Sequence, residues 1–332
     1  MFAQVCTSSW KRKKNLQLDL MKVNAKPATL SKAKVQPIAD TWRDVTTKGP
    51  FYATALRKGK RPGMEDCAKT LYMPGPGRTL AAFGVFDGHR GVTAAHFAAE
   101  QLLAAIQAYD EAGVAQAFLD TDKRFCDFAV RTKCLSGTTA VVAVINGDRV
   151  IAANAGDSRA WLLSDNTLTQ LSYDHVACDP SEQQRVESAG GYIMPVSGVL
   201  RVQGSLAITR GLGTPGYKQF IIPDPHVYSF RLCPLDQLLV LASDGLYMKM
   251  TNEEVRDVIL RNLARPLDQL AALLADTAID RGSPDNVTVT LVDLRTHLTR
   301  GKELLVDEDE LMADEPTEAP LLTPRHSAKF TF

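Results

Sequence analysis

The sequence predicts a mixed α and β fold built around antiparallel sheet, on three observations. Two pairs of β-branched runs each flank a two-residue turn signal, Asn146-Gly147 in VVAVINGDRVIAAN and Asp165-Asn166 in RAWLLSDNTLTQL. Such dipeptides tolerate positive φ, so each pair reads as a hairpin, and successive hairpins make antiparallel sheet. Ahead of both pairs, Val114, Ala117, Phe118, Phe125 and Phe128 recur at helical spacing, which predicts a helix packed on that sheet. The chain of 332 residues, 45% hydrophobic and 23% charged, is also long enough to bury a substantial core.

The remaining elements follow from local signals. Residues 79–86 (TLAAFGVF) read as a short buried strand with Asp87 at its exit, and residues 93–109 as an Ala- and Leu-rich helix. Asp179-Pro180-Ser181-Glu182 offers a cap, a proline at the first helical position and a Glu placed to reach back, with Gly190-Gly191 closing the helix. Thr251-Asn252-Glu253-Glu254 repeats the signal before VRDVILRNLAR, and Pro266 opens a further helix that Gly282 ends. Strands at 238–242 and 287–292 adjoin Asp244 and Asp285. Acidic residues therefore recur at strand ends.

Lys+Arg and Asp+Glu both number 38, so no global charge excess argues for nucleic acid or a membrane surface as partner. No stretch approaches the roughly 20 apolar residues of a membrane span, and MFAQVCTSSWKRKK lacks the apolar core of a secretion signal. The six cysteines form no C-x-x-C and are too sparse for a disulfide framework, so the expected setting is reducing and cytoplasmic. The basic first forty residues, with Lys11 to Lys14, leave a nuclear address as the alternative. The expected division is a basic extension at 1–50, one domain at 51–294 and an acidic, flexible tail at 295–332, the whole a monomer.

Four segments carry the candidate chemistry: RPGMEDC, VFDGHRG, ASDGL and GSPDN. Each sets a carboxylate beside Gly or Pro, residues that permit tight turns and close backbone approach to an ion. One D-G dipeptide is usually only a turn. Four such segments without a histidine-rich zinc pattern favour the oxygen-loving cations Mg²⁺ or Mn²⁺.

From residue 51 to 294 the order and wording of these segments resemble the type 2C, metal-dependent serine/threonine protein phosphatase family. Eight blocks match in order: RPGMEDC, VFDGHRG, SGTTAVVAVI, ANAGDSRAWL, LSYDHVACDPSEQQRVESAGG, RVQGSLAITRGLG, ASDGL and GSPDNVTV. The resemblance implies a four-layer αββα sandwich, two antiparallel sheets flanked by helices. It also implies hydrolysis of phosphoserine and phosphothreonine in protein substrates by a water or hydroxide bridging two metal ions. Asp87 would bridge the ions, with Glu65 and the Gly88 carbonyl on one, Asp244 and Asp285 on the other, and Asp66 acting through water. Arg61 would bind the substrate phosphate, His89 would protonate the leaving oxygen, and Asp157 would orient His89 or help hold a third ion.

Two positions depart from the family pattern, where Met248 and Thr214 stand in place of Asp. Met is a poor ligand for hard cations, so a third metal is in doubt. The G-x-G-x-x-G at Gly211 to Gly216 is interrupted by Pro215 and opens no helical run, which argues against a dinucleotide loop; in the family, the segment after it is a flap beside the active site. Cys6 and Arg12 have the spacing of cysteine-dependent phosphatases but lie in a polar tail. Asn286 in N-V-T is a nominal glycosylation acceptor. The rival readings are a catalytically weak family member that scaffolds phosphoproteins, and a hydrolase of small phosphoesters.

Overall fold

In the computed structural model, residues 44–73 and 80–295 are described. Apolar residues on both faces of the central strands force a two-sheet arrangement. One sheet runs β1 (Val45–Lys48), β2 (Tyr52–Arg57), β16 (Val287–Asp293), β15 (Asp236–Ala242), β9 (Arg159–Ser164), β10 (Thr167–Gln170). The other runs β14 (His226–Arg231), β8 (Arg149–Ala155), β7 (Ala140–Asn146), β4 (Leu80–Phe86), β3 (Cys67–Met73). Every neighbouring pair in both sheets is antiparallel.

Because side chains alternate along a strand, each central strand feeds two cores. Phe83 and Val85 of β4 meet Leu239 and Leu241 of β15 between the sheets. On the outer faces, Leu80, Ala82 and Phe86 pack beneath α1 (Thr93–Ala105) and α2 (Glu111–Thr132), with Val114, Ala117 and Phe118 on the buried side. Leu238, Val240 and Ala242 pack beneath α5 (Asn252–Arg261) and α6 (Leu267–Asp280). The result is the four-layer αββα sandwich. Among the described residues no helix is long and apolar enough to cross a membrane.

Several local expectations shift. The first hairpin turns at Gly147-Asp148, since Asn146 still pairs with Arg149, whereas Asp165 and Asn166 do sit at the second turn with φ of 45° and 62°. Helix α1 stops at Ala105, four residues before the expected end. Strand β1 lies inside the stretch assigned to the basic extension and pairs with β2. The rest of that extension, with Cys6 and Arg12, and the tail beyond residue 295 lie outside the described residues.

The layer between residues 176 and 222 is a separate flap with its own small core of Val186, Val202, Leu206, Ile208 and Ile221. It contains α3 (Pro180–Ser188) and a hairpin of β11 (Ile193–Val196) and β12 (Val199–Val202). Asp179 caps α3 as expected, but Glu182 does not reach back. Its carboxylate accepts from Arg185 Nη2 at 2.9 Å and Arg210 Nη2 at 2.7 Å, while Arg185 also donates to the Thr209 and Phe220 carbonyls. The glutamate, 2% exposed, therefore ties helix, loop and flap together.

Burial alone would raise the Glu182 pKa, but the hydrogen bonds from Arg210 and Arg185 win and hold it at about 2. We predict that Glu182→Ala costs about 3 kcal/mol in denaturant unfolding, because two guanidinium groups lose their anion. Since the folded pKa is depressed, the difference from wild type should be full above the unfolded value of about 4.3 and vanish as pH falls toward 2.

Candidate metal centre

Antiparallel pairing makes strand exits and starts alternate along one end of the sandwich. Asp87 leaves β4, Glu65 and Asp66 precede β3, Asp244 leaves β15, Asp285 precedes β16, and Asp157 lies between β8 and β9. All of these therefore gather at one end. Glu65, Asp87, Gly88, His89, Asp157, Asp244 and Asp285 line one cavity of about 390 Å³, together with Arg61. Asp66 does not line it.

Rigid backbone positions each group. Asp87 donates its N–H to Thr139 Oγ1 at 3.3 Å, while its carbonyl accepts from Thr139 N at 2.9 Å and Thr138 Oγ1 at 3.0 Å. Short strands β5 (Gly88–His89) and β6 (Gly137–Thr138), with β13 (Leu212–Gly213) beyond, hold the next two residues. A Cβ at Gly88 would collide with the Glu65 carbonyl, so only glycine lets these two ligand segments touch. A Cβ at Gly245, the second residue of the helical turn α4 (Asp244–Tyr247), would strike the Asn286 carbonyl in the same way. That contact brings Asp244 and Asp285 together.

Asn286 was read from sequence only as a nominal glycosylation acceptor, yet it is 3% exposed and acts as a clip. Its Oδ1 accepts from Glu65 N at 2.8 Å, and its Nδ2 donates to the Lys58 carbonyl at 2.8 Å and the Gly63 carbonyl at 3.0 Å. The loop carrying Arg61 and Glu65 is thus pinned to the segment carrying Asp285. Glu65 Oε1 in turn accepts from Gly91 N at 3.0 Å. Thr139 was likewise missed; its hydroxyl also bonds Ser158 Oγ at 2.7 Å. The sequence offered only their places inside recognised segments as a signal.

Asp66 is buried behind the cavity, where its Oδ2 accepts from Ser243 Oγ and Thr288 Oγ1, both at 2.7 Å. It joins β3 to the Asp244 turn. The Asp157 carbonyl accepts from Tyr247 Oη at 2.6 Å. Arg159 serves structure: it bonds Asp174 in a bidentate pair and lies 3.7 Å from the Tyr247 ring centroid.

His89 Nε2 lies 3.0 Å from Thr214 Oγ1, so Thr214, not Asp157, is its partner. Burial first, then Arg90, lowers the imidazole to about 4. Arg61 Nη2 sits 2.5 Å from Asp285 Oδ2, and its Nε donates to the Pro284 carbonyl at 3.2 Å. Met248 is exposed on the cavity wall. The cavity wall formed by the flap is made of Val199, Arg201, Leu206, Ala207 and Ile208, which precede the G-x-G-x-x-G segment rather than follow it. His96 lies outside the cavity, its Nδ1 3.9 Å from Cys67 Sγ.

The donor set fits hard divalent cations. It is all oxygen, and Asp244 Oδ1 is buried without a hydrogen-bond partner. Burial raises Asp66 to about 7, against the Ser243 and Thr288 bonds, and Asp244 to about 6, with repulsion from Asp285 adding to it. Asp87 and Asp157 are raised well above the ordinary carboxylate value, chiefly by burial and then by neighbouring carboxylates. Among the described residues no three His, Cys, Asp or Glu side chains close on a single point, so the acids line a bay rather than a finished cage. Further positive charge placed among these carboxylates would offset their mutual repulsion.

A family model described as protein phosphatase 2C matches residues 57–287. The chain belongs to the protein phosphatase 2C family. Its relatives include probable protein phosphatase 2C 2 of Arabidopsis thaliana, 36% identical over 77% of this chain and 71% of that one. Probable protein phosphatase 2C 25 of the same plant is 34% identical over 86% of this chain and 75% of that one. Among solved structures, a C. elegans sex determining protein aligns with TM-score 0.68 at 26% identity, covering 78% of this chain and 68% of that one. A Toxoplasma gondii serine-threonine phosphatase 2C aligns with TM-score 0.65 at 22% identity, covering 75% and 96%, and supports the fold. Protein phosphatase 2C membership makes the chain a serine/threonine phosphatase by class.

Two predictions test the centre apart from catalysis. Asn286→Ala should weaken Mn²⁺ binding by about 10- to 100-fold in titration calorimetry, because the clip orients ligands it does not itself supply. Protein stripped with EDTA should melt at lower temperature at pH 8 than at pH 5.5. Raised folded pKa values mean that the native state holds more protons than the unfolded one between about 4 and 7, so stability falls as pH rises through that window. Saturating Mg²⁺ should remove most of the difference.

Proposed function

We propose that this chain is a Mg²⁺- or Mn²⁺-dependent phosphatase that removes phosphate from serine and threonine side chains of protein substrates. The observation that supports it is the gathering of Asp87, Asp244, Asp285, Glu65 and the Gly88 carbonyl around one cavity beside Arg61 and His89. Asp87, Glu65 and Gly88 would hold one cation, and Asp87, Asp244 and Asp285 the other. Bound there, the two ions would neutralise the bay and lower the pKa of a water that attacks phosphorus.

The chain's own groups do the rest. Arg61 uses Nε and one terminal nitrogen on Pro284 and Asp285, and the remaining donors of its planar fork can grip a phosphoryl oxygen and orient the ester. His89 faces the cavity and supplies a proton to the leaving seryl or threonyl oxygen, directly or through water. With Thr214 as partner and a pKa near 4, its imidazole is neutral at pH 7 and a weaker acid than an imidazolium. Asp157 is present for a third ion, but Met248 presents a thioether on that wall, so the third site is short of a hard ligand. Both features favour slow turnover, which is the one ground for the second reading, a family member that retains phosphoproteins more than it processes them.

Hydrolysis of a phosphothreonine peptide with Mn²⁺ decides between them. Turnover that EDTA abolishes, and that Asp87→Asn lowers by at least about 1000-fold, is the expected result. Binding of the peptide without turnover under any divalent metal would leave the scaffold. Activity confined to p-nitrophenyl phosphate or nucleotides would point to small phosphoesters instead.

A further inference from the structure

We propose that Arg90 and Arg201 form a second anion subsite on the cavity wall, selecting protein segments that carry an anionic group beside the phosphorylated residue. The proposal rests on the phosphatase reading above. It begins with an unusual backbone. Arg90 has φ of 59°, the left-handed region that costs a residue with a Cβ about 1 kcal/mol or more. Something outside its own loop must hold it there. Its guanidinium lies 5.0 Å from the Tyr217 ring centroid and donates through Nη2 to Ser205 Oγ, both on the flap.

Arg201 approaches the same residue from the hairpin. Its Nη1 donates to the Ser205 carbonyl at 2.9 Å. Two guanidinium groups from different layers of the molecule thus meet at Ser205, and both line the catalytic cavity. Their neighbours are neutralised: Arg61 by Asp285, Arg159 by Asp174, and Arg185 and Arg210 by Glu182. Among the described residues, Arg90 and Arg201 have no carboxylate partner. They keep N–H donors and full charge beside a site built to handle phosphate.

The placement suits a flanking residue of the substrate. Arg90 follows His89 directly in the chain, and His89, Arg90 and Arg201 all line the same cavity, so both guanidinium groups share the wall on which a substrate segment would lie. Val199, Leu206 and Ile208 line the same wall and give that segment an apolar surface to lie on. The group the arginines would take is a carboxylate of Asp or Glu, or a second phosphoryl group; both are planar or tripodal oxygen acceptors that a guanidinium fork fits.

The test uses the full chain with Mn²⁺ and three phosphothreonine peptides that differ at one flanking position: Ala, Glu, or a non-hydrolysable phosphonate analogue of phosphoserine. For wild type, kcat/KM for the anionic peptides should exceed that for the Ala peptide by about 5- to 20-fold, mainly through KM. Arg90→Gln and Arg201→Gln should each bring that ratio below about 2, Arg90→Lys should keep part of it, and Arg90→Glu should invert it. Because the ratio is taken within each variant, a general loss of folded enzyme cancels. Preference for Glu alone assigns a carboxylate, and preference for the phosphonate alone assigns a second phosphate. A wild-type ratio near one, or a ratio that neither Gln variant changes, overturns the subsite while leaving the phosphatase intact. No hydrolysis of any peptide would remove the phosphatase reading and the subsite with it.

Discussion

Crowded negative charge is the constraint around which this molecule is organised. Five acidic side chains share one cavity wall and a sixth, Asp66, lies buried behind them. Burial raises the cost of ionising Asp87 and Asp244, and neighbouring carboxylates add to it. A fold can hold such a group only where backbone and neutral donors prevent the loops from moving apart. Here the Asn286 clip, the Thr139 bonds to Asp87, and the Ser243 and Thr288 bonds to Asp66 do that work. Chemistry that needs a concentrated positive counter-charge follows from the same arrangement.

The sandwich makes the concentration geometrically possible. Antiparallel neighbours bring the end of one strand beside the start of the next, so β15 and β16 deliver Asp244 and Asp285 as a pair, and β3 and β4 deliver Glu65 and Asp87. The strands themselves are buried on both faces. The flap is different: it has a small core of its own and is held by charged groups, with Glu182 inside and Arg90 reaching across. The acidic centre and a separately stabilised wall of the cavity are thereby divided between two parts of one chain.

Thr214 and Met248 sit in different surroundings. Thr214 is buried and bonded to His89, so a neutral hydroxyl meets the imidazole. Met248 is exposed on the wall, where it presents a thioether in place of an oxygen donor. Neither disturbs the groups assigned to the two central ions.

The sequence by itself determined the acidic segments, their order, and most helices and strands, because caps, turns and strand-end carboxylates are local signals. Asp87, Asp244 and Asp285 could be named from it, and family resemblance supplied the two-sheet architecture that periodicity could not. Strands buried on both faces do not alternate, so β4 reads only as an apolar run and reveals neither its partners nor its second core. Tertiary structure alone decided that Asn286 is a clip, that Asp66 faces away from the cavity, that Glu182 bonds two arginines, and that Thr214 meets His89 across 125 residues. Each of these depends on a contact between distant segments, and a side chain's role in such a contact is set by what the fold places opposite it.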